Sequence, residues 1–172
     1  AIASAVAKWD AGALEDALAY MKLCGAVVRS RDEWAAHDHG KVLAETPLVE
    51  LIRLGDADPL ETGAAKARPL DGIRVLDMTR VLAGPTCGRT LASHGADVLR
   101  VGAAHLPTIE PFVMETSHGK RLATLDFGVR EDADQLNDLA DRAHVFVQSF
   151  RPGSLARHGL GPYDLADRRP GI

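Results

Sequence analysis

The chain has 172 residues, 46% of them apolar, and its 20 basic and 24 acidic residues give a formal net charge of −4. This length and composition allow a buried core and exclude a disordered chain. The slight acidic excess argues against a nucleic-acid-binding protein and against a basic membrane-binding surface, so neither nucleic acid nor membrane is expected as a partner.

The cysteines, the histidines and the N-terminal residues indicate the cellular compartment and whether a metal site is expected. Cys24 and Cys87 form no CxxC pattern, and of the seven histidines only His37 and His39 are close, at a spacing that faces different sides of a helix. Neither a disulfide framework nor a metal site is therefore expected. No secretion signal or membrane-spanning run is recognisable. We expect a cytoplasmic protein.

Residues 1–54 are predicted to form a small α+β domain. A first helix, with Leu14, Leu18 and Met21 at helical spacing, would end at Gly25. Ser30 and Glu33 form a capping-box pattern at the start of a second helix. Two strands are expected, AVV at 26–28 and PLVELIRLG from Pro47.

A linker is predicted at residues 55–68, where Gly, Pro, Ala and charged residues replace any apolar periodicity. Residues 69–172 then alternate strand and helix patterns. The strand patterns are GIRVLDMT, ADVLRVG, RLATLDF and HVFVQSF, and the helix patterns are PTCGRTLASHG and REDADQLNDLADRA. This order predicts an open, mostly parallel Rossmann-like α/β sheet with helices on both faces.

Ligands of such sheets bind beyond the carboxyl ends of the strands, which selects three loops, at residues 79–84, 126–128 and 149–153. The first places Arg80 and small residues before Pro85, an arrangement that suits an anion at a helix start but also a simple tight turn. Near the third, Arg151 and Arg157 could bind phosphate or could be solvated.

Local catalytic signatures are missing. The chain contains no GxGxxG, P-loop or GxSxG pattern, and the pairing of Cys87 or of serines with histidines is best explained by chance. Asp77 and Asp126 fall in or at the ends of strands, where a carboxylate could act in covalent chemistry or accept backbone hydrogen bonds.

Three segments carry a family resemblance. They are PLDGIRVLDMTRVLAGPTCGRTLASHGADVLRV, then HGKRLATLDF, then DRAHVFVQSFRPGSLARHGLG. In this order they resemble the family III CoA-transferases, also called the CaiB/BaiF family, which include formyl-CoA transferases, carnitine CoA-transferases and α-methylacyl-CoA racemases. The resemblance covers the chain from Pro69 onward and implies a CoA-binding domain that is incomplete here.

The resemblance implies a set of CoA-binding residues. They are Arg80, Leu82 and Ala83 in the first loop, Leu125, Asp126 and Phe127 in the second, Ser149, Phe150 and Arg151 in the third, and Arg157 near the CoA phosphates. Position 149 departs from the family, which often has Asn there.

The implied activity is transfer of CoA between an acyl-CoA and a carboxylic acid, by an interlocked homodimer of the full-length protein. The family's nucleophilic Asp is expected beyond Ile172, so no catalytic residue is assigned. Two alternatives are a racemase-type enzyme and a non-catalytic CoA-binding or interaction module.

The order of the two parts of the chain also departs from the family. Residues 1–54 are similar to the family's small domain, through Arg29-Ser30-Arg31 and the Glu33-Trp34 pair, but that domain normally follows the CoA-binding one. We favour the explanation that the protein is a tandem or rearranged member of the family. An adaptor that only looks similar is the alternative.

Overall fold

The computed structural model describes residues 2–60 and 67–172. Two compact units can be distinguished, one up to Ile52 and the other from Arg53 onward. The domain boundaries drawn from the sequence stay a prediction. Within the predicted linker, residues 61–66 lie outside the described part of the chain.

The first unit is helical. Its helices are α1 (Ile2–Val6), α2 (Ala11–Tyr20), α3 (Arg31–Ala36) and α4 (Asp38–Glu45). The predicted capping box is confirmed, because Ser30 Oγ accepts from the Glu33 amide at 3.2 Å and the Glu33 carboxylate accepts from the Ser30 amide at 2.7 Å.

Helix α2 ends earlier than predicted. Lys22 adopts a left-handed conformation with a φ of 58°. The Leu23 amide then donates to the Leu18 carbonyl at 2.9 Å, and the Lys22 amide donates to the Ala19 carbonyl at 3.0 Å. These two bonds form a Schellman motif, which closes the helix before Gly25 is reached.

The two strands predicted in the first unit are wrong, because none of the described residues 2–60 belongs to a strand. Val28 is 98% exposed and Leu51 is 95% exposed, so neither apolar run packs on a core. The Val27 amide donates to the Glu15 carboxylate at 3.2 Å rather than to a neighbouring strand. A strand needs such a neighbour to satisfy its backbone groups, so the predicted α+β domain is instead a helical region.

The second unit contains a four-stranded parallel sheet, as predicted. Its strands are β1 (Arg74–Met78), β2 (Asp97–Gly102), β3 (Lys120–Thr124) and β4 (Val145–Gln148), in the spatial order β3-β2-β1-β4. The helices are α5 (Ala83–Ser93), α6 (Glu110–Thr116), α7 (Arg130–Arg142) and α8 (Pro162–Arg168), with a 3-10 helix at Ala156–His158. Of these, α5 and α7 confirm the sequence patterns, whereas α6, α8 and the 3-10 helix were not predicted.

Alternate residues of β1 pack into two different apolar clusters. Leu76 packs in a cluster with Leu136 of α7 and Leu165 of α8, whereas Val75 packs with Ala92 of α5 and Val98 of β2. Successive side chains of a strand point to opposite faces of its sheet. Helices therefore cover both faces, and the apolar pattern of β1 serves two cores.

The strand order defines where loops meet. The chain runs outward from β1 through β2 to β3, and then returns to place β4 on the other side of β1. The loops after β1 and β4 therefore lie next to each other, at the topological switch point where parallel sheets bind ligands. Among the described residues, no helix combines the length and apolar character that a bilayer-spanning segment requires.

Candidate functional site

A cavity of about 390 Å³ lies at the carboxyl ends of the strands; we call it the main cavity. All four strand ends contribute to it. Its lining includes Arg80 after β1, Ala103 and His105 after β2, Leu125, Asp126 and Phe127 after β3, and Phe150, Leu155, Arg157 and His158 after β4. Loops that are far apart in the sequence thus share one cavity.

A second cavity, of about 410 Å³, lies at the switch point; we call it the turn cavity. It is lined by residues 80–84 together with Ser149 and Phe150. The Arg80 amide donates to Ser149 Oγ at 3.3 Å, which ties the loop after β1 to the loop after β4. Arg80 and Phe150 line both cavities, so the two are neighbours.

The predicted CoA-binding residues are distributed over these two cavities. Arg80, Leu125, Asp126, Phe127, Phe150 and Arg157 line the main cavity, and Leu82, Ala83 and Ser149 line the turn cavity. Arg151 is exposed and lines neither of them. Their role in binding CoA stays a prediction.

Asp126 is held by hydrogen bonds within the main cavity. Its Oδ1 accepts from the Gly128 amide at 2.8 Å, and its Oδ2 lies 3.1 Å from His105 Nδ1. The Gly128 hydrogen bond is the largest influence and holds the pKa of Asp126 below its usual value, against a smaller opposing effect of desolvation and with a contribution from His105. These contacts favour the role of a hydrogen-bond acceptor over that of a nucleophile.

Asp77 is in a buried ion pair that sequence reasoning missed. Lys120 Nζ donates to Asp77 Oδ2 at 2.7 Å and to the Pro85 carbonyl at 2.8 Å, and both charged side chains have no solvent exposure. Asp77 Oδ1 accepts from the Thr79 amide at 2.9 Å. The pair therefore holds both ends of the loop at residues 79–85. The sequence hints at this ion pair only through the unusual lysine at the start of the strand in HGKRLATLDF.

Two glycines of α5 allow this close packing. A Cβ at Gly88 would lie 2.3 Å from Asp77 Oδ2, and one at Gly84 would lie 2.4 Å from the Thr79 Cβ. Between them and β1, Val81 has a φ of 70°, which a β-branched residue rarely adopts. Strain of this kind persists only where the surroundings hold the backbone in place, and it is concentrated at functional loops.

The main cavity also presents a flat aromatic surface. The rings of Phe127 and His158 stack with centroids 4.5 Å apart and an interplanar angle of 24°. Arg157 Nε lies 3.1 Å from His158 Nε2, so a guanidinium adjoins the stacked pair. Neither His158 nor His105 was predicted, since a lone histidine in a loop carries no local signal. Among the described residues, no group of three or more His, Cys, Asp or Glu side chains is placed to hold a metal ion.

The parallel sheet has adjoining cavities at its switch point, and their lining includes arginines and a stacked aromatic pair. This is the architecture of α/β proteins that bind ligands at the carboxyl ends of their strands. The family pattern of CoA-transferase family III matches residues 70–172. The chain belongs to this family, which confirms the resemblance found in the sequence.

Known proteins share this region. An acyl-CoA transferase of Gibberella moniliformis is 34% identical over 172 residues, covering 95% of this chain and 30% of the relative. A probable fatty acyl-CoA transferase of Mycobacterium tuberculosis is 36% identical over 119 residues, covering 62% and 30%. The crystal structure of the M. tuberculosis protein Rv3272 superposes with a TM-score of 0.54 at 39% identity, covering 60% of this chain and 31% of that one.

The chain spans about 30% of the length of these curated relatives. The Gibberella match covers 95% of the chain, so most of the segment before Pro69 also has a counterpart ahead of the family region. The order of the two parts is therefore shared with that relative. The choice between a tandem or rearranged member and an adaptor stays a prediction.

Proposed function

We propose that the second unit is the CoA-binding portion of a family III CoA-transferase, which transfers CoA between an acyl-CoA and a carboxylic acid. The observation that carries the proposal is the meeting of the three predicted loops around the main and turn cavities. The names of the relatives described above favour transfer over racemisation. A cytoplasmic location and a homodimer of the full-length protein remain parts of this proposal.

The residues of the two cavities suit the parts of CoA. Guanidinium groups bind phosphate oxygens through charge-assisted hydrogen bonds, a role that fits Arg157. The stacked Phe127 and His158 rings offer a face for the adenine. Ala83 and Gly84 in the turn cavity would let the rest of the ligand approach the backbone closely.

In the proposed reaction an enzyme carboxylate attacks the thioester carbonyl and the C–S bond breaks, which leaves a mixed anhydride on the enzyme and CoA as a thiolate. The thiolate attacks the enzyme carbonyl of this anhydride, which releases the first acid as its carboxylate and leaves CoA as a thioester of the enzyme carboxyl group. The carboxylate of the second acid attacks this thioester to form a second anhydride, and the released CoA thiolate attacks its acyl carbonyl, which gives the new acyl-CoA and restores the enzyme carboxylate. The two aspartates considered from the sequence do not supply this nucleophile. Asp77 is fully buried and paired with Lys120, and Asp126 is engaged by Gly128 and His105. The contribution of this chain is then to bind and orient CoA, with the nucleophile expected beyond Ile172.

The experiment is calorimetric titration of the 172-residue chain with CoA. We expect binding in the parent, and an affinity about tenfold lower with a weaker salt dependence in Arg157→Ala, because one charge-assisted contact is lost. Arg130→Ala is the matched control, since Arg130 lies on the exposed first turn of α7. No binding by the parent at millimolar CoA would overturn the proposal, and equal affinity of Arg157→Ala would remove Arg157 from the site.

A further inference from the structure

A third cavity, of about 170 Å³, lies between the loop after β1, strand β2 and helix α6; we call it the side cavity. Arg80 and Arg100 supply its charge, and its apolar walls come from Val81, Ile109, Phe112 and Val113. The residues that line it include no carboxylate. A small cavity with two guanidinium groups and apolar walls is a place for a small anion with an apolar body.

Arg100 brings a buried hydrogen-bond donor to the side cavity. Its Nε is buried and has no hydrogen-bond partner among the residues that the structure describes. Asp77 is its partner in register on β1, but the carboxylate of Asp77 is already bound to Lys120 and Thr79. Buried polar groups are nearly always hydrogen-bonded in native proteins, so this donor is available to an acceptor that enters the side cavity.

Arg80 connects the side cavity with the proposed CoA site. Its Nη2 donates to the Pro107 carbonyl at 2.5 Å, which directs the guanidinium toward the loop before α6. The residue lines the main, turn and side cavities alike. Val81, with its φ of 70°, lines both the turn and the side cavity, so the loop after β1 separates the two. A ligand in the side cavity would therefore adjoin bound CoA.

We propose that the side cavity binds the carboxylate of the acid that accepts or releases CoA, with Arg100 and Arg80 as its hydrogen-bond donors. The planar fork of a guanidinium matches a carboxylate, and the apolar walls suit a short aliphatic chain such as that of butyrate. A phosphate of CoA, which is polar on all sides, would leave these walls uncovered. The inference rests on the proposed function and assigns one of its two substrates to named residues.

The test follows butyrate and CoA separately on the 172-residue chain. Sodium butyrate is titrated while NMR records the arginine Nε–Hε resonances, and the resonance of Arg100 is expected to shift and saturate at millimolar butyrate. CoA affinity is measured by calorimetry on the same sample. CoA binding without butyrate binding would overturn the inference and leave the proposed function standing. Butyrate binding without CoA binding would support the carboxylate site and contradict the proposed function.

Variants then assign the contact. Arg100→Gln is expected to lower butyrate affinity by about tenfold and to leave CoA affinity unchanged. The control is Arg121→Gln, an arginine on β3 that pairs with Asp97 and lines none of the three cavities. Equal losses of butyrate and CoA in Arg100→Gln would assign Arg100 to CoA and overturn the inference. Displacement of butyrate by inorganic phosphate at equal concentration would also overturn the inference.

A second variant tests the inference if Arg100→Gln does not fold. Val113→Trp keeps both arginines and fills the apolar side of the cavity. It is expected to abolish the butyrate-dependent shift of the Arg100 resonance while CoA affinity is retained. Undiminished butyrate binding in Val113→Trp would show that the anion binds elsewhere, which overturns the inference.

Discussion

At the residue scale, Lys120 and Asp77 combine a buried charge pair with the placement of the loop after β1. Lys120 reaches from the start of β3 to Asp77 in β1 and to the Pro85 carbonyl in α5. A buried ion pair is costly to desolvate, so its net value for stability is small while both partners are present. Removal of one partner leaves the other charge buried and uncompensated.

We therefore predict that Lys120→Met lowers the free energy of unfolding by about 3–5 kcal/mol, measured by urea denaturation at neutral pH. The neighbouring Arg121 offers a matched control, because its pair with Asp97 has side chains 68% and 47% exposed. Arg121→Met should cost less than about 1 kcal/mol, since solvent screens exposed pairs. Equal losses in the two variants would contradict the role given to burial.

At the element scale, one carboxylate joins helix α2 to the segment that follows it. Glu15 accepts from Arg29 Nη1 at 2.9 Å and from the Val27 amide at 3.2 Å. The Arg29 hydrogen bond is the main reason that the pKa of Glu15 falls from 4.5 to about 2, with desolvation opposing it and the Val27 amide assisting. The contact replaces the strand pairing that the apolar run at 26–28 had suggested.

The pH dependence of this contact has a definite sign. Because the pKa of Glu15 is lower in the folded chain, the ion pair stabilises the first unit fully above pH 4.5 and is lost as the pH falls through about 2. We expect the Val27 amide resonance to titrate with a midpoint near pH 2, and this titration to vanish in Glu15→Gln. A midpoint near 4.5 would show that the contact does not form in solution.

At the scale of the whole molecule, the chain is about 30% as long as its curated relatives. Under the proposed function, this portion binds CoA and the nucleophile lies elsewhere. We predict that the 172-residue chain, mixed with an acyl-CoA and a second carboxylic acid, forms no exchanged acyl-CoA detectable by chromatography, while the same sample binds CoA in calorimetry. Exchange by this chain would place the nucleophile within it, and Asp126→Asn would then be the first variant to test.

The sequence by itself was sufficient to predict the parallel sheet of the second unit. Short apolar runs indicate the strands, and small residues, proline and arginine follow them at the turns, so the parallel sheet and the positions of the loops after its strands could be predicted from local patterns. That these loops bind a ligand stays a prediction. The family resemblance rests on the same residues.

Only the tertiary structure decided the remainder. The run from Pro47 is apolar but no strand forms there, because strand pairing needs a neighbour that local sequence does not reveal. Two features depend on register between strands that are distant in sequence: the Lys120–Asp77 pair and the buried Nε of Arg100. The exposure of Arg151, outside both cavities, was likewise not visible in the sequence. Local patterns determine which residues form elements and turns, whereas burial and partnership are set by contacts across the whole sheet.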